Sequence, residues 1–396
     1  MQKIVVKLTS LAKGITQSTL SLSFNLAGLI AGVIVAENLS VIESVSWGLL
    51  LYPGILSLRG SIGGMYAGRL STALHLGTVE ARLRNNSGEA RLLSDSTAVL
   101  SVISSITMAL TASMFSILFN AGPFDILGII LVTVATMSTS LVLVSPLTFA
   151  VSVFTYKRGL DPDVTVYPII STAADIVVTT AYILALKAIS APFGWVFLSV
   201  LDLVSVAFAL SAALRNRESR AFLKNLKEFT LTLVVVSFIV NVTGSLLENL
   251  MLKIGHRPEI YVVYPALIDT VGDVGSIVGS TASTKIAQGL LNPSFSNIRM
   301  HVNEIFHAWA GSLAMFGAYS FIPSVLFSIS HPESLLSQLL LTNIMAVSVI
   351  VVVSMGVAFS TAARGWEPDN FIIPIESAMS DGIATAAILL ATSLVP

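Results

Sequence analysis

The chain contains no cysteine. That excludes disulfides and thiolate metal sites, and it says little about compartment. Charge is scarce too: 11% of the 396 residues are Asp, Glu, Lys or Arg, against about 25% in an ordinary soluble domain. A net charge of −1 gives no reason to expect nucleic acid or an acidic partner. Five histidines, at 75, 256, 301, 307 and 331, stand without tight ligand spacing, so a soft zinc or copper site is not expected. No stretch alternates with period two for long enough to build a β-barrel. No segment is long and polar enough to form a separate soluble domain.

Apolar sequence fills the space that charge leaves. Hydrophobic residues make up 54% of the chain, and the mean hydropathy is +0.86. A spanning helix needs about 20 apolar residues, and such stretches recur from end to end. Eleven candidate spans can be marked at 15–40, 45–74, 96–120, 124–156, 164–188, 193–214, 229–253, 260–290, 302–329, 334–362 and 370–394. The expected class is an all-α integral protein of the cell membrane, crossing the bilayer about eleven times. Several spans exceed the minimum length, so tilts or kinks are expected. The first residues, MQKIVVKLTSLAKG, read as the cytoplasmic flank of the first helix rather than as a cleaved signal. With the N-terminus inside, sixteen of the 21 basic residues fall on inner segments and three on outer ones; Arg59 and Arg69 lie within the second span. Cytoplasmic loops carry the excess of Lys and Arg, so the N-terminus is expected inside and the C-terminus outside.

An internal repeat organises these spans. YPGILSLRGSIGG, from Tyr52, returns as YPALIDTVGDVGS, from Tyr264. RGLDPDVTVYPIISTAADIVVTTA, from Arg158, returns without a gap as RGWEPDNFIIPIESAMSDGIATAA, from Arg364. Arg158, Gly159, Pro162, Asp163, Pro168, Ser171, Asp175 and Thr179 fall on Arg364, Gly365, Pro368, Asp369, Pro374, Ser377, Asp381 and Thr385. A weaker echo, AENL at 36–39 and LENL at 247–250, extends the match to the first helix. The division expected from the repeat is a first five-helix unit at 1–190, a linking helix and basic linker at 191–228, and a second five-helix unit at 229–396. One linking helix between two five-helix units gives them the same orientation, which makes them parallel repeats. Such a chain is expected to act as a monomeric pseudo-dimer. The basic stretch 215–227 reads as a solvated, lipid-facing linker.

Ionisable residues inside spans are costly and point to function. Asp175 lies roughly 16 Å into its span at 1.5 Å per residue, close to mid-membrane. Ser171 and Thr179 sit four residues to either side, on the same helix face. Ser377, Asp381 and Thr385 repeat the stripe, with Glu376 beside them where the first half has Ile170. In the second span of each half, Asp269 and Asp273 stand where the first half has Ser57 and Ser61. Arg59 falls between the two serines, with Glu37 or Glu43 as its expected partner. Glycines crowd the same spans and read first as close helix packing. Pro162, Pro168, Pro368 and Pro374 break the entry to the Asp-bearing spans. Asp161, Asp163, Glu367 and Asp369 sit at that mouth, either stabilising helix dipoles or concentrating cations. Glu37 and Glu248 could line a path or mark its outer end. Carboxylate, hydroxyl, carbonyl and water suit a hard cation, and Mg²⁺ keeps its waters and needs few carboxylates. The expected metal ligands are therefore Asp175, Asp381, Asp273, Asp269, Ser171, Ser377, Ser61, Thr179, Thr385 and Glu376.

These motifs resemble the MgtE-type magnesium transporters, above all the solute-carrier family 41 branch, which carries two MgtE units in one chain. The most specific stretch is PGILSLRGSIGGMYAGRLSTALHLG, 53–77; the segments at 161–175 and 367–381 resemble the family's last-helix pore motif. The resemblance implies that the second and fifth helices of each unit line the ion path, with Asp175 and Asp381 as the central Mg²⁺ carboxylates. The family's G-N-x-G stands here as Gly60-Ser61-Ile62-Gly63 and Gly272-Asp273-Val274-Gly275, so the two halves differ. Gating by the magnesium-sensing soluble domains of bacterial members is expected to be absent. The combined expectation is transport of Mg²⁺, with other divalent cations as further candidates, through a polar path between the halves. Mg²⁺ is the transported ion, the bilayer is the surroundings, and neither enzyme activity nor an organic cofactor is expected. Two rivals remain: a Na⁺- or H⁺-coupled exchanger, and an intramembrane aspartyl hydrolase. The hydrolase would use paired aspartates, but Thr270 stands where its G-x-G-D motif requires glycine.

Overall fold

The computed structural model describes residues 12, 14–118, 125–158, 162–254, 257–287, 289–326, 332–365 and 369–395, and these contain no strand. Eleven long helices follow one another: α1 Gly14–Glu37, α2 Gly48–His75, α3 Gly88–Leu118, α4 Ile126–Lys157, α5 Pro162–Ile189, α6 Gly194–Arg215, α7 Arg220–Ile254, α8 Pro258–Ala287, α9 Val302–Leu326, α10 Pro332–Ala363 and α11 Asp369–Leu394. They fall on the eleven expected spans. Among the described residues, nine of the helical segments are long and apolar enough to cross a membrane. The two expected spans that miss this mark lie in α2 and α7. Arg59 and Arg69 dilute α2, and the charged residues at both ends of α7 leave it with only Leu233–Leu247 as a short apolar core.

The helices gather into two compact units. One consists of residues 1–36 and 246–396, the other of residues 37–245. The cut follows packing, whereas the sequence division follows the repeat. The helix that opens each repeat is thus counted with the other repeat's helices: α1 packs in the unit of α8–α11, and most of α7 in the unit of α2–α6.

Small residues explain how these opening helices dock. A Cβ on Gly32 of α1 would overlap the backbone carbonyl of Val262 in α8. A Cβ on Gly244 of α7 would overlap the carbonyl of Leu50 in α2. Val262 and Leu50 occupy the same repeat position, two residues before Tyr264 and Tyr52. Helices in lipid associate through such close backbone approach. Pro53 and Pro265 follow the two tyrosines inside their helices, and each removes one internal hydrogen bond there.

The tyrosines fasten the second helix of each repeat to the fifth. Tyr52 Oη lies 3.0 Å from Thr179 Oγ1, and Tyr264 Oη lies 2.8 Å from Thr385 Oγ1. Thr385 spends its one proton on the carbonyl of Asp381, so Tyr264 is the donor in its pair. Both phenols are fully buried, where an unmade hydrogen bond is costly.

Candidate functional site

Each unit holds one polar cluster on its second and fifth helices, and the two differ in charge. In the unit of α1 and α8–α11, Asp269 and Asp273 stand one turn apart on α8. Helix α1 changes there to a tight 3-10 stretch, Ser23–Ala27, a form that often marks functional hinges in longer helices. This places Asn25, 1% exposed, against the acids. Asn25 Nδ2 donates to Asp273 Oδ2 at 2.7 Å and to Thr270 Oγ1 at 3.3 Å. Thr270 gives its own proton to the carbonyl of Ala266, so Tyr319, 2.6 Å away, donates to Thr270. Asp273 thus accepts from Asn25, whose amide also donates to Thr270.

Helix α11 supplies the rest of this cluster. Glu376 is fully buried and accepts from Ser276 at 2.9 Å. It lies within electrostatic reach of Asp273. Gly272 makes room: a Cβ there would stand 3.0 Å from Ser380 Oγ. That contact brings the neighbour of Asp273 against the neighbour of Asp381, which is 6% exposed. Ser377 is half-buried beside it.

In the unit of α2–α6 a cation stands between the equivalent positions. Arg59 is buried on α2 and donates from Nε to Ser140 Oγ of α4 at 2.8 Å. Its guanidinium lies over Gly63, where a Cβ would approach within 2.6 Å of Nη1. Asp175 of α5, 7% exposed, acts on it electrostatically. Glu37 and Glu43, the acids expected to meet Arg59, are exposed instead. Ser57 and Ser61 are buried, and Ile170 fills the place of Glu376. Ser171 is half-buried on α5.

The structure therefore brings Asp269, Asp273 and Glu376 together in one unit, with Asp381 on the same pair of helices. Thr179 and Thr385 are turned to the tyrosines that fasten their helices. Among the described residues no three Asp, Glu or His side chains form a ready-made metal cage. Asp161, Pro368 and Glu367 lie outside the described residues, as do the side chains of Asp163, Pro162, Pro168, Asp369 and Glu248. Sequence reasoning missed Asn25, Tyr319 and Ser276. The signal for Asn25 was present: an amide within an apolar span is as costly as other buried polar groups, and it needs a partner.

The family model of the MgtE divalent cation transporters matches residues 52–185 and 264–391. The two matched segments begin on the equivalent residues Tyr52 and Tyr264. No curated protein and no solved structure matches the chain.

Proposed function

Because the chain belongs to the MgtE family of divalent cation transporters, we propose that the ion it carries across the membrane is Mg²⁺ and that Asp175 and Asp381 bind it. The observation that carries this reading is the concentration of carboxylates on the second and fifth helices. Asp381, Glu376, Asp273 and Asp269 share α8 and α11, and Asp175 holds the position equivalent to Asp381. Carboxylates taken out of water need a cation or a proton. Mg²⁺ dehydrates reluctantly. It is bound with most of its water, and Ser171 and Ser377 accept hydrogen bonds from that water. The protein works as a monomer with its N-terminus inside and its C-terminus outside. Cysteines introduced at Glu89 and Ala191 should label from the inner and outer side respectively, and the reverse pattern would overturn this orientation.

Mg²⁺ flux into liposomes tests the site. Asp175→Asn and Asp381→Asn should each lower flux at least tenfold, and the double variant should lower it further. Groups acting on one ion give non-additive effects, so the double variant should lose less than the product of the two. A hexaammine metal complex, inert to ligand exchange and similar in size to hydrated Mg²⁺, should compete. Near-normal flux in a folded double variant would sink the site. Unimpaired flux in the presence of excess complex would reject recognition through water.

A further inference from the structure

One mid-membrane carboxylate lies outside both matched segments and outside the repeat. Asp202 sits about 12 Å into α6 at ~1.5 Å per residue, the 22-residue helix that links the two repeats. Most of α6 faces outward, yet Asp202 is only 8% exposed. Both of its carboxylate oxygens are buried and, among the described residues, accept no hydrogen bond. It shares a stripe with Leu198, Ala209 and Ala212, the buried side of the helix. Ala209 and Ala212 on that stripe pack against Val99 and Val102 of α3.

The neighbouring helices explain why it has no donor. Helices α3, α4 and α5 pack on α6, and Phe222 of α7 joins Ala209 and Ala212 toward the inner end of the stripe; the charged residues beside it on α7 are Arg220, Lys224 and Lys227, and the side chain of Glu228 lies outside the described residues. On α3 the charged residues are Glu89, Arg91 and Asp95, all in its first turns. Asp95 is bound by Arg215 at 2.8 Å and by Asn216 at 2.7 Å, about 20 Å along α6 from Asp202. On α4 the titratable residues are Tyr156 and Lys157, at its inner end. On α5, Lys187 donates to Asn38 and Tyr182 to the carbonyl of Gly48. Asp175 answers to Arg59; the side chains of Asp163 and Tyr167 lie outside the described residues. Hydroxyls do line α3 and α4, but Ser104, Ser105, Thr107, Thr133 and Thr136 give their protons to carbonyls of their own helices. A hydroxyl has one proton to give.

A carboxylate buried without a cation or a donor takes up a proton rather than stay charged. We propose that Asp202 is a proton-binding site, holding one proton as a carboxylic acid at rest and releasing it to water during transport, so that cation flux responds to a proton gradient. The proton site stands on the geometry of α6 alone, and its consequence for flux rests on the transport reading above.

Infrared difference spectroscopy of the full chain in lipid tests the proton directly. The wild type should show a protonated carboxyl C=O band that shifts in D₂O and is missing from Asp202→Asn. Persistence of that band in the variant, or its absence from the wild type, overturns the proposal. Mg²⁺ uptake with and without an imposed pH gradient tests the coupling. Wild-type uptake should change at least threefold with the gradient, and Asp202→Asn should respond less than half as much while still carrying Mg²⁺. An equal response in both overturns coupling. If Asp202→Asn is not recovered folded, Asp202→Glu takes its place, and an unchanged pH midpoint of uptake overturns the proposal. Absence of Mg²⁺ uptake in the wild type would instead count against the transport reading, and the infrared result would stand apart from it.

Discussion

The two polar clusters share one backbone plan and carry opposite electrical designs. The unit of α8–α11 places Asp269, Asp273, Glu376 and Asp381 on two helices, and no Lys or Arg lies between Asp269 and Asp273 on α8. The unit of α2–α6 offers Ser57, Ser61 and Ile170 in the first three of those places. It buries Arg59 within electrostatic reach of Asp175, the acid in the fourth place. One cluster must take up a cation or protons; the other has a cation of its own in Arg59. Shared helix contacts and unshared charges show that duplication kept the frame and freed the site to diverge. On the reading proposed above, the acidic cluster is where a cation gains most, and Arg59 offsets part of the charge of Asp175.

That contrast can be broken from either side. The largest effect is expected from Asp273→Asn, which removes a charge from the acidic cluster. Mg²⁺ flux should fall about 100-fold, the upper end of what groups at or beside a metal ligand contribute. Ser61→Ala, at the equivalent place, should change flux less than about threefold, because it removes no charge. Equal small effects would mean that neither position meets the ion. Next comes Arg59→Gln. Losing a buried, charged hydrogen-bond donor should destabilise the protein by about 2 kcal/mol, read as a lower midpoint of denaturation in detergent. An unchanged midpoint would remove Arg59 from the frame. Asn25→Ala should raise the Mg²⁺ concentration for half-maximal flux by about tenfold, as loss of a partner that orients a metal ligand does. Unaltered half-saturation would reduce Asn25 to a packing residue.

The frame was more legible in the sequence than the cluster. Apolar runs broken by turn residues mark all eleven helices, because a spanning helix must satisfy its own backbone and so needs a long uninterrupted stretch. The gapless match of 158–181 to 364–387 marks the equivalent helices, and Asp175 and Asp381 stand out as charges where charge is costly. Three things were not legible. Arg59 was paired with Glu37 or Glu43 by proximity in sequence, but long-range packing places Ser140 beside it. Thr179 and Thr385 are expected as ion ligands because they continue a polar stripe; their contacts with Tyr52 and Tyr264 come from the packing of α2 on α5 and of α8 on α11, which no local pattern reports. Asn25 stands out as an amide in an apolar span, but its partner could not be read. Its partner Asp273 lies 248 positions away in the chain, and no local pattern reports a contact at that distance.

The smallest expected effect separates frame from site most cleanly. Tyr52→Phe and Tyr264→Phe each delete one buried hydroxyl and leave the ring in place. The hydrogen bonds they remove are equivalent in position and alike in length, 3.0 and 2.8 Å. A hydrogen bond of this kind contributes about 1 kcal/mol net. In each variant the threonine remains: Thr385 keeps its bond to the carbonyl of Asp381, so it is not left with an unused proton. Both variants should therefore lose about 1 kcal/mol of stability, with losses that match within about 0.5 kcal/mol. Mg²⁺ flux at saturating ion should stay within about twofold of wild type in both, since no charge near the ion is altered. If Tyr264→Phe lowered flux as strongly as Asp273→Asn while Tyr52→Phe did not, the hydroxyl of Thr385 would belong to the acidic cluster after all. The division drawn between a shared frame and an unshared site would then have to move by one helical turn along α11.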